Sequence, residues 1–172
     1  PGGEAAIREP WRIARACLWL LEHAAPGTRP WPWLKDFGQA SDMLPQLLAR
    51  GVNSPHTSSC GRLFDAVAAL LGLGMRISYE GQAAILLESI QDMAATRSYA
   101  CPLREQDEKL VLDTLSLYEQ LLQDWEQGTA AGVISRRFHL ALTQGLADWA
   151  AKAAQLTGID VVALSGGVLQ NR

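Results

Sequence analysis

Apolar residues recur every three or four positions through most of the chain, the spacing of helices that bury one side. Ile7, Trp11, Ala14, Leu18 and Leu21 predict a helix from Glu4 to about Ala24. Pro26-Gly27 breaks it, and a Trp/Pro-rich connector follows, Pro30-Trp31-Pro32-Trp33. Ser41 reads as the N-cap of a short helix that ends before Gly51. From Gly51 to Gly61 the pattern lapses into a polar loop rich in hydroxyls and small residues. A short helix from Gly61 to Leu71 is closed by Gly72, and Ser78 caps another from Tyr79 to about Ala95. Beyond Cys101-Pro102 a helix is predicted from about Glu105 to Glu126. The last runs from about Ser135 to Leu156, with Phe138, Leu142, Gly145, Trp149, Ala153 and Leu156 in one stripe and Gly158 as its stop. Only Asp160 to Leu164 reads as a strand, and nothing in the chain is patterned to pair with it. The expectation is a mainly helical chain with one terminal strand. Since a lone strand leaves its amides and carbonyls unsatisfied, its sheet is expected to come from sequence outside this chain.

Candidate chemistry sits in two places. The strand-like run opens into Ser165-Gly166-Gly167, where a missing Cβ lets backbone amides approach a phosphate or nucleotide closely. No helix follows to complete such a loop, so the chain is expected to be a piece of a longer protein. The second place is the helix from Gly61 to Gly72. At about 100° per residue, Leu63, Phe64, Val67, Leu70 and Leu71 share one face, and Gly61, Asp65, Ala68 and Gly72 form a separate stripe. Asp65 is able to accept hydrogen bonds from two ribose hydroxyls there, with Gly61 leaving room for the ring. On the residues alone the default reading is plainer, a helix packed on both sides with Asp65 on its surface.

The remaining polar residues read as structural. Ser58 and Ser59 are expected to cap the following helix, and Cys60 to be a buried small residue, since no basic partner makes it a nucleophile. His56 reads as a loop histidine, and Glu80 as a structural carboxylate at a helix start. His23 and His139 lack a second ligand one turn away, which argues against a metal site in this chain. Trp31 and Trp33 either seal the core or form an aromatic platform for a partner. Arg62 is open between a phosphate contact and the surface.

Composition removes whole classes of function. The 172 residues are 48% apolar with a net charge of −3, which fits neither disorder nor a basic nucleic-acid surface. No apolar run is of membrane-spanning length. Pro1-Gly2-Gly3-Glu4 does not open a secretory signal, and three well-separated cysteines read as reduced thiols of a cytoplasmic protein.

Several blocks together closely resemble one family. They are Pro1-Gly2-Gly3, Glu9-Pro10-Trp11-Arg12, Ser58-Ser59-Cys60-Gly61-Arg62-Leu63-Phe64-Asp65-Ala66, Ser78-Tyr79-Glu80-Gly81-Gln82 and Ser165-Gly166-Gly167-Val168-Leu169-Gln170-Asn171-Arg172. The chain resembles the C-terminal domain of the HypF-type carbamoyltransferases of nickel–iron hydrogenase maturation over essentially its whole length. The resemblance implies the helical part of a TsaD-like α/β domain of the sugar-kinase/actin type, with residues 1–172 forming one partial domain truncated at both ends. In that family a YrdC-like domain makes carbamoyl adenylate from carbamoyl phosphate and ATP. The TsaD-like domain passes the carbamoyl group to the C-terminal cysteine of HypE, and a thiocyanate made from it supplies the cyanide ligands. Carried over residue by residue, Gly61 and Asp65 contact the ribose, and Gly166, Gly167 and Asn171 contact the phosphate and the purine side. With the resemblance, the ribose reading of Asp65 takes precedence.

The family's divalent-metal ligands fall outside this sequence, so the resemblance implies no metal-binding or catalytic residue within it and no turnover by this piece alone. Two alternatives stand beside this reading. One is a TsaD-like threonylcarbamoyl transferase acting on tRNA, which the absence of a basic surface disfavours. The other is a HypE-docking module with little nucleotide affinity, anchored by an exposed Trp31/Trp33 connector.

Overall fold

A proline interruption decides how the start of the chain folds. In the computed structural model, which describes residues 1–24 and 31–171, Glu9-Pro10 divides the predicted first helix into α1 (Glu4–Arg8) and α2 (Trp11–Ala24). Proline cannot continue α1, because it lacks the amide hydrogen and restricts the residue before it. The predicted break at Pro26-Gly27, the connector's Pro30 and the terminal Arg172 lie outside the described residues. Two compact units follow: Pro1 to Ser89 with Gln170 to Arg172, and Ile90 to Leu169.

In the first unit a 3₁₀ helix (Pro32–Phe37) leads into α3 (Gly38–Ala49). Its start is four residues earlier than the sequence predicts. Ser41 is therefore no cap but lies inside the helix, donating to the carbonyls of Gly38 and Leu34 at 2.9 and 3.1 Å. The polar loop follows, exposed over most of its length, and then come α4 (Cys60–Leu70) and α5 (Gln82–Ser89). The helix predicted from Tyr79 to Ala95 is thus shorter at both ends. Gln82 Oε1 accepts the Ser78 N–H at 2.7 Å, so glutamine rather than the serine hydroxyl finishes that entry.

α4 packs against α2 and α5 and is the centre of this unit. Ala66, Val67, Ala68 and Ala69 are all 0% exposed. Both stripes read from the sequence are therefore buried along its middle, as befits a helix apolar nearly all round. Trp11, Ala14 and Leu18 of α2, Leu44 of α3, and Ala83 and Leu87 of α5 complete the core. Trp11 stacks on Phe37 with ring centroids 4.3 Å apart. Trp31 is buried and Trp33 half-buried, so the tryptophan connector seals the core, and the exposed anchor of the docking alternative is not present. At the corner between α1 and α2, Glu9 pairs with Arg12 and with Arg76 of the loop after α4.

In the second unit the helix predicted from Glu105 to Glu126 forms only in its later part, and a hairpin takes the place of its start. β1 (Leu103–Gln106) pairs antiparallel with β2 (Lys109–Leu112) in the register Leu103↔Leu112 to Gln106↔Lys109. The turn residues Asp107 and Glu108 both have positive φ, 49° and 60°, as a two-residue turn between right-twisted strands requires. Asp113 then caps α6 (Thr114–Glu126), accepting the Ser116 N–H at 3.2 Å. A turn through Gly128 leads to α7 (Ala131–Thr157), four residues longer at its start than predicted and ended by Gly158 at φ 71°. Of the α7 stripe, Phe138, Leu142 and Gly145 are buried, whereas Trp149 and Leu156 are 41% and 64% exposed. Beyond α7 the predicted strand from Asp160 to Leu164 does not form. No strand among the described residues pairs with it, and Val161 and Leu164 are 79% and 75% exposed. Among the described residues no helix is long and apolar enough to cross a membrane.

Close approaches make two glycines sensitive positions in this second unit. A Cβ at Gly145 meets Leu112 Cδ2 at 3.1 Å and the Cys101 carbonyl oxygen at 3.2 Å. At Gly132 it meets the Ile90 carbonyl oxygen at 2.5 Å, beside a hydrogen bond from Asp92 N–H to Gly132 O. Gly132→Ala is expected to cost about 1–3 kcal/mol in chemical unfolding, the range for forced overpacking, although alanine has the better helix propensity. Glu9 supplies a pH-dependent counterpart. Burial alone pushes its carboxyl up, but the hydrogen bonds and charges of Arg12 and Arg76 outweigh this and hold it below the usual carboxylate range. Its contribution is present above the unfolded-state pKa and is lost as pH falls through the lower folded-state value. Glu9→Gln is expected to lower stability by about 1 kcal/mol at neutral pH. Thermal melts of the two proteins should converge only once pH falls below that lowered value, under the ordinary carboxylate range of about 4.

Candidate functional site

The burial of α4 gives its one acidic side chain an unusual setting. Asp65 is 1% exposed, so the plain reading of it as a surface carboxylate is overturned. Burial pushes its carboxyl up, Arg62 pulls it down and Glu80 pushes it up again, leaving it at about 6. At neutral pH it is therefore ionised, yet close to taking a proton.

Arg62 is the cation that makes this possible. Its Nη1 lies 3.0 Å from Asp65 Oδ2, and its Nη2 donates to Glu80 Oε1 at 3.2 Å. Arg62 is thus not a surface residue but is directed at two carboxylates. Its spacing from Asp65, i to i+3 on a helix, was the signal that could have found this pair in the sequence. Glu80 gave no such signal, because it reaches Arg62 from the loop between α4 and α5. It lies before the first turn of α5 rather than in it.

Charge holds the Arg62–Asp65 contact together, since neither Nη1 nor Oδ2 makes a hydrogen bond of good geometry although both atoms are buried. Buried polar atoms with unused hydrogen-bonding capacity are exceptions in folded proteins and mark places where a ligand or water completes the set. Gly61, one turn before Asp65 on the same helix face, is half-buried. Ser59 occupies the N-cap of α4, but its hydroxyl makes no capping bond, and Ser58 is exposed. The Ser59 N–H instead donates to Thr57 Oγ1 at 3.1 Å, so the expected serine caps are replaced by a threonine that closes the loop. Cys60 is half-buried and burial raises its thiol pKa, the opposite of an activated nucleophile.

The glycine loop has a different character. Gly166 has φ 101° and is exposed, and Gly167 opens a 3₁₀ helix (Gly167–Gln170). A Cβ at either glycine would meet nothing within 4 Å, so the backbone is open to approach. Asn171 is half-buried, and its Oδ1 is buried with no hydrogen-bond partner. Gly61, Asp65 and Asn171 belong to the first unit, Gly166 and Gly167 to the second. His56 is exposed in its loop. His23 Nδ1 faces the Trp19 carbonyl oxygen at 2.8 Å, and His139 Nδ1 faces that of Ser135 at 2.7 Å. Among the described residues no three His, Cys, Asp or Glu side chains are placed to hold a metal ion.

Known proteins match this chain over its whole length. A protein-family model described as "Carbamoyltransferase, Kae1-like Domain, second subdomain" matches residues 1–172. A carbamoyltransferase HypF homolog of Cupriavidus necator is 40% identical over 99% of this chain and 44% of its own length. The carbamoyltransferase HypF of Rhizobium leguminosarum bv. viciae is 37% identical over 100% of this chain and 21% of its own length. A crystal structure of full-length HypF in its phosphate- and nucleotide-bound form matches with a TM-score of 0.86 and 31% identity, covering 99% of this chain and 26% of that one. The chain spans less than half the length of each of these relatives. It belongs to the carbamoyltransferase HypF family, within which it corresponds to the second subdomain of the Kae1-like domain.

Proposed function

We propose that this chain supplies the ribose-holding wall of a carbamoyl-transfer site in a HypF-type enzyme. The observation that carries the reading is Asp65, a carboxylate retained at 1% exposure in a helix whose other buried residues are all apolar. A position that served packing alone would do better with alanine, because a buried charge is costly unless its interactions compensate. In the proposed complex Asp65 accepts hydrogen bonds from the ribose hydroxyls of ATP or carbamoyl adenylate, and Gly61 leaves space for the sugar. By resemblance to the family, Gly166 and Gly167 are assigned phosphate contacts and Asn171 a contact on the purine side. The likeness to a nucleotide-bound HypF supports this assignment.

The proposed reaction starts from carbamoyl adenylate, formed from carbamoyl phosphate and ATP. The C-terminal cysteine thiolate of HypE attacks the carbamoyl carbon, a carbon–sulfur bond forms, and AMP leaves with the electrons of the broken carbon–oxygen bond. The product serves cyanide-ligand synthesis in nickel–iron hydrogenase maturation. Ribose contacts contribute by orientation, holding the acyl carbon where the thiolate reaches it. The family's divalent ion is assigned to residues outside this chain, and the cytoplasm is the proposed location. Membership of the HypF family takes precedence over the tRNA-directed alternative.

Two measurements test the proposal. In the intact enzyme, Asp65→Asn should weaken calorimetric binding of ATP or a non-hydrolysable carbamoyl-adenylate analogue by about 10- to 100-fold, the equivalent of a charge-assisted hydrogen bond. Equal affinity would remove Asp65 from the ribose site. This chain by itself should give no detectable carbamoylation of HypE, and measurable turnover would show that the chemistry does not need the rest of the enzyme.

A further inference from the structure

We propose that Arg62 is a positioning residue of this site: it grips Asp65 Oδ2 at 3.0 Å and Glu80 Oε1 at 3.2 Å, and so presents Asp65 to the ribose in one orientation and in its charged form. The inference rests on the ribose reading of Asp65. Its geometry is that of a relay from solvent to interior. The Glu80, Arg62 and Asp65 side chains are 77%, 16% and 2% exposed, so a wet carboxylate anchors a mostly buried guanidinium, which neutralises a buried carboxylate. Arginine suits this place because its planar fork binds two acceptors at once and it stays charged when desolvated.

The far end of the relay is fastened. Glu80 stands on the segment between α4 and α5, where Ile77 N–H donates to the Arg8 carbonyl at 2.9 Å. Ser78 N–H bonds Gln82 Oε1, and Arg76 bonds Glu9, in the same segment. Arg62 is thereby held from a segment tied to both the α1–α2 corner and α5. Among the described residues, Arg62 and Glu80 are the charged groups that act on Asp65. Of the elements packed against α4, α2 carries Arg12 paired with Glu9 and Arg15 paired with Glu22, and α5 carries Glu88. Without Arg62, burial would leave Asp65 protonated near neutral pH. It would then have one acceptor oxygen fewer and no partner to fix its rotamer.

The test is the pH profile of adenosine binding to the intact enzyme, followed by calorimetry from about pH 5 to 9, where adenosine itself does not titrate. Wild-type affinity should rise with pH through a midpoint near that of Asp65, and 2′,3′-dideoxyadenosine should lack this rise. Arg62→Gln should move the midpoint up by about 1–3 units, so that binding is weak at neutral pH and recovers in alkali. Arg62→Lys keeps the charge and should hold the midpoint near wild type. Glu80→Gln removes a negative charge and should move it down. Should Arg62→Gln fail to fold, Arg62→Met, which keeps an apolar stem of similar length without the charge, carries the same test. An unmoved midpoint in Arg62→Gln would overturn the role of Arg62 while leaving the ribose reading standing. Asp65→Asn that binds with wild-type affinity and profile would instead overturn the ribose reading itself.

Discussion

A carboxylate inside an almost wholly apolar helix must be balanced by a cation or a proton, and that constraint organises the first unit. α4 is narrow in the middle, with Ala66, Ala68 and Ala69 among its fully buried residues, which lets α2 and α5 close on it. The same closeness removes water from Asp65. Arg62 supplies the balancing charge from the turn before, and its other end reaches Glu80 across the connecting segment. The position of that segment, its bonds to Arg8 and Glu9, and the charge state of the candidate site are therefore one connected arrangement. Breaking it at any point exposes the cost of a buried charge left without compensation.

The second unit solves its packing with small residues and one buried polar knot. Gly132 and Gly145 let α7 approach the Ile90 carbonyl and the hairpin side of Cys101 and Leu112. Asp124 accepts from the Tyr99 hydroxyl at 2.6 Å and pairs with Arg137, so it ties the segment before the hairpin to both long helices. Burial, and then the Asp124 charge, push the Tyr99 phenol well above its ordinary pKa, so it stays a hydrogen-bond donor. The far end of α7 and the run after it contrast with this. Leu156, Ile159, Val161 and Leu164 keep apolar side chains in the open, ahead of a glycine loop whose backbone is equally accessible.

What could be read in advance follows from the range of the forces involved. The helix from Gly61 to Leu71 was legible to within a residue, because glycine and hydroxyl punctuation bounds an unbroken periodic run. The stripe containing Gly61 and Asp65 was legible from rotation angle alone. Whether that stripe faced solvent was not, since the burial of Asp65 depends on α2 and α5 closing around it. Arg62 and Asp65 are neighbours on one helix and were open to inference, whereas Glu80 joins them through a segment whose path has no local code. Trp31 illustrates the reverse limit: a tryptophan after a proline suits a core plug and an exposed anchor equally well, and only its burial separates the two.

The hairpin marks the boundary most clearly. Leu103 to Leu112 is rich in Arg, Glu, Gln, Lys and Leu, all good helix formers, so local propensity argued for a helix. Asp107 and Glu108 nonetheless take left-handed conformations, because pairing β1 with β2 and packing both on α7 outweighs that preference. By itself the sequence determined the helical character of the chain, where most of its helices stop and the family to which it belongs, since periodicity, glycine stops and motif residues act within a few positions of one another. Tertiary structure alone decided the hairpin, the burial of Asp65 and the reach of Arg62 to Glu80, because each depends on contacts between residues that only the fold brings within range.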